Sequence, residues 1–259
     1  MNALSLFDGM SCGRIALDRA GIKVNKYYAS EIDTHAVKVA TVNYPNTIQL
    51  GDITKWRDWD IDWSSIDLLL GGSPCQGFSF AGKQLNFDDE RSKLFFVYVD
   101  ILNHIKSVNP NIKYLLENVK MKDECIDVIN KCLGVESVFI NSDSFVQQNR
   151  PRLYWCNWDI EEVPVRPEWE GEYWQYRRTY FRKNKSGVCP CLTANMGTGG
   201  HNVPLRSPDL KDKLTPEECE ALQGVNIGYT AIVSNTQRYK MLGNGWTVDV
   251  IMHILRGLD

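Results

Sequence analysis

The sequence predicts an open, doubly wound α/β domain followed by a small irregular region. Short apolar, β-rich runs recur through residues 1–160, and stretches with helical spacing separate most of them. Because the runs are nearly all apolar, we expect a parallel sheet that helices cover on both faces. The predicted strands are 3–7, 26–30, 47–50, 67–70, 113–116, 137–140 and 152–156.

Helical signals lie between these runs and after them. Apolar residues recur over 94–105 with the period of an α-helix, which predicts a helix between the fourth and fifth strands. Further along, Thr215 is a typical N-cap, Pro216 suits the first helical position, and two acids follow. A helix therefore begins there, and a final helix is predicted over 248–255.

Three regions follow from these patterns. Proline and glycine interrupt any long periodicity after Asn157, so the α/β domain is expected over 1–156 and a small region over 157–212. Residues 213–259 are predicted to return to the α/β domain.

The composition is typical of a soluble globular protein, with 43% apolar and 24% charged residues in a chain of 259. No apolar run approaches the roughly 18 residues of a membrane span. The N-terminus lacks the basic segment of a secretory signal. We therefore expect a cytoplasmic protein with no membrane partner, whose eight cysteines are reduced.

The cations are concentrated in one segment. A net charge of −3 argues against a protein that coats nucleic acid by bulk electrostatics, so any DNA-binding face must be local. Residues 173–185 read YWQYRRTYFRKNK, without an acid. Either its aromatic residues form a small core with solvated cations, or its cations contact DNA, and both hold if the aromatic residues pack inward. The cations are Arg177, Arg178, Arg182, Lys183 and Lys185.

Acidic residues follow three successive strands. Asp8 and Gly9 lie in a turn between the first strand and a helical pattern, which is where doubly wound folds bind nucleotides. Asp8 would repel a pyrophosphate, so a nucleoside that carries a sulfonium fits better than a dinucleotide. Glu31, 22 residues after Gly9, is placed for ribose hydroxyls, and Asp52 for an adenine amino group. The alternative is that these acids only cap the helices that follow.

Cys75 is the candidate nucleophile. It follows the fourth strand in GGSPCQGFS, where a proline and flanking glycines present the thiol rather than pack it. Glu117 follows the fifth strand and is expected beside Cys75 as a proton donor or acceptor. The alternative for Cys75 is a buried small hydrophobic residue.

Two later segments also carry candidate site residues. Arg150 and Arg152 flank a proline and can hold a carbonyl oxygen or a phosphate, whereas the alternative is a surface turn with solvated charges. Residues 243–246 combine two glycines with Trp246 as an apolar wall, or form only a turn before the final helix. Cys189 and Cys191 lack the matching pair that a zinc site requires, so no metal is expected.

In order along nearly the whole chain, these motifs resemble those of the cytosine-5 DNA methyltransferases. The matching segments are FDGMSCG, SEID, GDI, GGSPCQGFS, LLENV, QNRPRLY, LTPEECEALQG and RYKMLGNGW. The resemblance implies a Rossmann-like methyltransferase fold, S-adenosylmethionine as cofactor, and a target cytosine flipped out of double-stranded DNA. Residues 1–156 would then be the catalytic and cofactor-binding domain, residues 157–212 a small target-recognition region, and the source bacterial or phage.

The same resemblance implies a role for each site residue. Cys75 would attack C6 of cytosine, Glu117 would hold N3 and the exocyclic amine, Arg152 would hold O2, and Arg150 would support the site. The cofactor residues would be Phe7, Asp8, Gly9, Glu31, Asp52, Ile53, Pro74, Leu94, Asn244, Gly245 and Trp246. The DNA-binding residues would be Gln76, Ser79 and Arg91 in a closing loop over 76–91, with Arg177, Arg178, Arg182 and Lys183.

Two departures separate this chain from many bacterial members. The first turn carries Asp8 and the segment Met-Ser-Cys, and Trp246 stands where aliphatic residues are common, so both resemble the animal de novo methyltransferases. A tRNA cytosine-5 methyltransferase and a catalytically inactive DNA-binding homologue are the alternative functions.

Overall fold

The computed structural model describes residues 1–74, 90–184, 186–199 and 202–258, except the side chains of 90–92. The described strands are β1 Asn2–Leu6, β2 Lys26–Ser30, β3 Ile48–Gln49, β4 Leu68–Gly71, β5 Lys113–Val119, β6 Val138–Asn141, β7 Pro151–Cys156, β8 Tyr173–Tyr176, β9 Phe181–Asn184 and β10 Val203–Leu205. They form a seven-stranded sheet in the order β3-β2-β1-β4-β5-β7-β6 and a three-stranded sheet in the order β10-β8-β9.

The large sheet is parallel from β3 to β5 and antiparallel at its β7 and β6 edge. The predicted parallel sheet is therefore confirmed from β3 to β5, and the prediction is wrong only for β7, which runs antiparallel to both of its neighbours. A parallel return needs a long crossover, usually a helix, but β6 and β7 are joined only by a short connection that contains the 3-10 turn Ser142–Ser144. The chain therefore comes back beside β6 in the opposite direction.

Helices cover both faces of the large sheet, as predicted. The helices are α1 Cys12–Arg19, α2 Thr34–Asn43, α3 Glu90–Val108, α4 Asp123–Leu133, α5 Pro216–Leu222, α6 Asn235–Asn244 and α7 Val248–Leu255. Alternate residues of β1 point to opposite sides: Ala3 joins the core shared with α1 and α7, and Leu4 joins the core shared with α3 and α4. None of the described helices is long and apolar enough to cross a membrane.

The predicted helix starts near the C-terminus are confirmed. Thr215 Oγ1 accepts a hydrogen bond from the Glu218 amide at 3.3 Å, and Glu218 Oε2 accepts one from the Thr215 amide at 2.7 Å. This reciprocal pair is a capping box, and it fixes the start of α5 at Pro216. Helix α7 spans the predicted residues and packs on α1.

A small antiparallel sheet forms within 157–212. Val203 and Leu205 are buried, and Trp174 and Tyr176 pack against the same core that α7 helps to form. Aromatic and β-branched side chains favour this pleated, half-buried arrangement. The small sheet is therefore anchored on the large domain through a shared apolar core.

Candidate active site

The parallel strands β1, β2, β4 and β5 bring their carboxyl ends to one edge of the large sheet. This edge is where open α/β sheets bind ligands. The structure places the first turn and Glu31 there, together with the segment that leads toward Cys75. Glu117 was expected after β5 but lies inside this strand, opposite Tyr154 of β7.

Asp8 holds the first turn from within. Its Oδ2 accepts a hydrogen bond from Ser11 Oγ at 2.5 Å, and its Oδ1 accepts one from Tyr27 OH at 2.7 Å. Burial raises the pKa of Asp8 to about 6, against the lowering effect of its hydrogen-bond donors. Because both oxygens are bound inside the protein, Asp8 positions the turn, and its predicted contact with a cation stays a prediction.

The turn itself has an uncommon backbone. Phe7 and Ser11 take positive φ values of 58° and 66°, and Gly9 takes 60°. A non-glycine residue in this region costs on the order of 1–3 kcal/mol, so the surrounding contacts must hold it. The hydrogen bonds of Asp8 supply part of that restraint.

Glu31 ties this turn to the end of β2. Its Oε2 accepts a hydrogen bond from the Gly9 amide at 2.8 Å, and its Oε1 accepts from the amides of Ile32 and Asp33, each at 2.8 Å. The neighbouring Ile32 is 73% exposed, an apolar side chain at the sheet edge that the sequence reasoning missed. Its position beside an acid at a strand end is the signal that could have identified it.

The capping alternative holds for Asp52. Its Oδ1 accepts hydrogen bonds from the amide and the hydroxyl of Thr54, at 2.9 and 2.8 Å, and these bonds lower the pKa of Asp52. At the next helix, Asp33 caps α2, so Glu31 does not act as its cap. A cap and a ligand contact are compatible in one carboxylate, since it has about four acceptor sites.

Asn118 fixes the segment that leads into the predicted nucleophile. Its Nδ2 donates to the carbonyl and to the hydroxyl of Ser73, both at 3.2 Å, and both residues are buried. The sequence reasoning missed Asn118, although an amide directly after Glu117 in an apolar strand was a usable signal. Three predicted site residues, Cys75, Gln76 and Ser79, lie outside the described residues, and so does the side chain of Arg91.

Glu117, Arg152 and Trp246 meet in one cluster. Arg152 Nε lies 2.9 Å from Glu117 Oε1, and Trp246 Nε1 donates to Glu117 Oε2 at 2.9 Å. The side chains of Glu117 and Arg152 are only 12% and 14% exposed. Burial alone would lower the pKa of Arg152, but the opposing effects of Glu117 and Cys191 are together larger, so the net shift of this pKa is upward. A buried carboxylate that meets a permanent cation and a neutral donor can bind a polar planar ring.

Arg150 has a different role from Arg152. Its guanidinium donates to the carbonyl of Leu192 at 3.2 Å and to the carbonyls of Gly243 and Gly245 at 3.0 and 2.8 Å. Arg150 is 4% exposed, so the alternative of a solvated surface charge is wrong for it. It joins residues 191–192 to the segment that carries Trp246.

Two buried glutamines complete this junction and were missed by the sequence reasoning. Gln148 Nε2 donates to the carbonyl of Leu222 at 2.8 Å, and its Oε1 accepts from the Leu192 amide at 3.1 Å. Gln223 Nε2 donates to the Gly245 carbonyl at 3.2 Å. Their signal in the sequence was weak, because an isolated glutamine is usually exposed.

The remaining predicted cofactor residues occupy varied environments. Ile53 is buried at the start of a 3-10 turn, and Leu94 is half-buried on α3. Pro74 and Asn244 are exposed, and Gly245 follows α6. Because Pro74 and Asn244 are exposed, a ligand can reach them.

The basic segment forms the β8–β9 hairpin. Tyr173, Trp174 and Tyr176 pack inward as expected, but Tyr180 and Phe181 are 55% and 37% exposed, so inward packing is wrong for these two residues. Tyr180 lies in the connection between β8 and β9, outside the paired strands, so its side chain is free to face solvent. Arg177 donates to Gln175 Oε1 at 3.1 Å, and Lys183 pairs with Glu172. The exposed cations of the described hairpin are Arg177, Arg178, Arg182 and Lys183.

Comparisons with known proteins converge on one family. A family model described as C-5 cytosine-specific DNA methylase matches residues 1–156 and 140–259. The Type II methyltransferase M.Bsp6I of Bacillus sp. (strain RFL6) is 30% identical, over 98% of this chain and 97% of that protein. The Type II methyltransferase M1.ScrFI of Lactococcus lactis subsp. cremoris is 30% identical, over 96% of this chain and 75% of that protein. The structure of the S. pombe Dnmt2 methyltransferase shares the fold, with a TM-score of 0.71 at 17% identity over 99% of this chain and 97% of that chain.

Proposed function

The chain belongs to the C-5 cytosine-specific DNA methylases and is a DNA cytosine-5 methyltransferase, and from this premise we propose its mechanism. It transfers the methyl group of S-adenosylmethionine to C5 of a cytosine flipped out of double-stranded DNA, through a covalent bond to Cys75. The observation that carries the proposal is the meeting of Glu117, Arg152 and Trp246 at the sheet edge, next to the segment that leads to Cys75.

In the first step, the Cys75 thiolate bonds to C6 of the cytosine, and the C5–C6 electron pair becomes available at C5. When bound, S-adenosylmethionine would supply its sulfonium methyl group to C5, with S-adenosylhomocysteine as the leaving group. Glu117 holds N3 and the exocyclic amine, and Arg152 holds O2, so both stabilise the ring as charge develops. The C5 proton is then lost to solvent, its electron pair re-forms the C5–C6 double bond, and the C6–S pair leaves with sulfur, which releases the product and restores the Cys75 thiolate.

The cofactor site fits the residues at the ends of β1, β2 and β3. Glu31 is oriented by three backbone amides at a strand end, where a carboxylate can take the hydroxyls of a ribose. Asp52 and the exposed Ile32 flank it for the adenine ring, and Asp8 holds the Phe7–Gly9 turn from below. Since these residues combine carboxylates with an apolar wall, they suit a nucleoside that carries a sulfonium and no phosphate.

Asn244, Gly245 and Trp246 complete the cofactor site, with Ile53, Pro74 and Leu94 around it. On the DNA side, we propose that Gln76, Ser79 and Arg91 contact the strand that carries the target. Arg177, Arg178, Arg182 and Lys183 then contact phosphates or base edges from the β8–β9 hairpin. Residues 157–212 form the target-recognition region of this proposal, between a catalytic domain over 1–156 and the returning segment over 213–259.

Bisulfite sequencing of plasmid DNA from cells that express the chain tests the proposal and reads the methylated site. Protected cytosines at one recurring sequence are expected for the wild type, and none are expected for Cys75→Ser, which removes the nucleophile at little change in volume. Cys125→Ser is the matched control, since Cys125 lies on α4. The same bisulfite reaction on cellular RNA tests the alternative of a tRNA methyltransferase. Protection in RNA alone would overturn the proposal, and protection in neither would favour an inactive homologue.

A further inference from the structure

We infer that Trp246 is a positioning residue for Glu117, so that one side chain serves the cofactor site and the target-base site together. The inference rests on the proposed function, because it takes Glu117 as the residue that binds the cytosine. It adds to the expected role of Trp246 as an apolar wall. The new part is a directed hydrogen bond from its indole nitrogen.

The two oxygens of Glu117 are each held by one donor. Arg152 Nε lies 2.9 Å from Oε1, and Trp246 Nε1 lies 2.9 Å from Oε2. A carboxylate has about four acceptor sites, so these two contacts leave lone pairs for a bound base. Two donors on opposite oxygens also fix the plane of the carboxylate, which must match the plane of the cytosine ring.

The approach of the indole depends on glycine. A β-carbon on Gly72 would lie 2.7 Å from Trp246 Nε1 and 3.2 Å from Glu117 Oε2. A β-carbon on Gly13, at the start of α1, would lie 3.4 Å from the indole ring. The ring therefore reaches from the start of α1, where the Gly13 distance is an ordinary van der Waals contact, to the carboxylate, where the absence of a side chain at Gly72 leaves room for it.

The backbone before Trp246 is fixed by buried side chains. The Gly245 carbonyl accepts hydrogen bonds from Arg150 at 2.8 Å and from Gln223 at 3.2 Å, and the Gly245 amide donates to the Met241 carbonyl at 2.8 Å. Because its backbone is anchored, the Trp246 indole holds its N–H against one acceptor, Glu117 Oε2. This anchoring is what a positioning role requires, because a mobile donor would not orient Glu117.

An apolar wall alone does not require tryptophan. Phenylalanine or leucine would also cover a cofactor, but neither can donate to a carboxylate. A hydrogen bond to an ionised group is about twice as strong as a neutral one, so its loss should appear in the chemical step. Replacing Trp246 by phenylalanine removes the N–H but keeps an aromatic ring as the apolar wall, and the same replacement at another tryptophan controls for the loss of ring volume.

Trp246→Phe is the test. We expect kcat for methyl transfer to fall at least tenfold, while the dissociation constant for S-adenosylhomocysteine, measured by calorimetry, stays within threefold of the wild-type value. Trp158→Phe is the matched control, since Trp158 Nε1 donates to the Ile254 carbonyl at 2.9 Å, and its kcat should not change. An unchanged kcat in Trp246→Phe, or a loss of cofactor affinity in step with kcat, would overturn the inference.

A second measurement checks the contact without using activity. The indole N–H signal of Trp246, assigned by its absence in Trp246→Phe, should shift in a ¹⁵N–¹H spectrum when Glu117 is replaced by Gln. Gly72→Ala should shift the same signal and reproduce the fall in kcat. An indole N–H signal that stays at the same position in both variants would show that Trp246 does not donate a hydrogen bond to Glu117. If the wild type methylates DNA normally, that result removes only this inference, whereas a wild type without DNA methylation removes the proposed function as well.

Discussion

Asp8 should make the stability of the cofactor-free protein fall as the pH rises. The folded protein holds this carboxyl at a pKa of about 6, compared with the ordinary 3.8, mainly because it is buried. Between these two values the folded state binds more protons than the unfolded state, so the free energy of unfolding decreases as pH increases. The free energy of unfolding then levels off once the pH is above the folded-state pKa of about 6.

The two pKa values give the size of the effect. The raised pKa of Asp8 lowers the free energy of unfolding by about 2 kcal/mol at pH 5 and by about 3 kcal/mol at pH 8. Asp8→Asn cannot ionise, so its stability relative to the wild type should increase by about 1 kcal/mol between these two pH values. Any constant effect of the amide on Ser11 and Tyr27 cancels in this comparison.

Urea unfolding of both proteins at pH 5 and pH 8, without cofactor, measures this difference. Asp52→Asn supplies the control, because hydrogen bonds from Thr54 lower the pKa of Asp52 and its carboxyl is ionised at both pH values in the folded and the unfolded protein. Its stabilising effect is lost only as the pH falls below this range, so the difference between wild type and Asp52→Asn should be the same at pH 5 and pH 8. A difference between wild type and Asp8→Asn that is the same at both pH values would refute the reasoning.

The remaining predictions concern the cofactor, the junction and the DNA. Glu31→Ala should weaken binding of S-adenosylmethionine by about 1–3 kcal/mol in calorimetry, since ribose hydroxyls lose their acceptor, and unchanged affinity would remove the proposed site. Arg150→Met should lower the free energy of unfolding by about 2–4 kcal/mol in urea, because the carbonyls of Leu192, Gly243 and Gly245 each lose one donor; an unchanged free energy of unfolding would contradict this assignment. Replacing Arg177 and Arg182 together by Ala should flatten the slope of log affinity against log salt by about 2, while Lys131→Ala on α4 leaves it unchanged. An unaltered slope in the double variant would place DNA recognition elsewhere.

The sequence predicted most of the large domain, because apolar strands and amphipathic helices leave a local periodicity. The capping box at Thr215 could be predicted for the same reason, since its partners lie within one turn. The direction of β7 could not be predicted from its own residues. It depends on what connects it to β6, and the antiparallel edge follows from the absence of a crossover helix in that connection.

The contacts of individual side chains in the candidate site could not be predicted from the local sequence either. Arg150 and Arg152 are two residues apart, yet one holds backbone carbonyls and the other faces Glu117. Residues two apart along extended chain share a face, and both guanidiniums lie near Cys191 Sγ, so only the packing of distant segments decides what else each one meets. The bond between Trp246 and Glu117 joins residues 129 positions apart, so no local pattern could reveal it.

Covalent capture tests the central claim most directly. DNA that contains 5-fluorocytosine at the methylated position, incubated with the chain and S-adenosylmethionine, should form a stable adduct, because fluorine at C5 blocks the elimination that frees the thiol. Mass spectrometry of the digested adduct should place the modified nucleotide on Cys75, and Cys75→Ser should form no adduct. An adduct on a different residue, or methylated DNA from Cys75→Ser, would contradict the account.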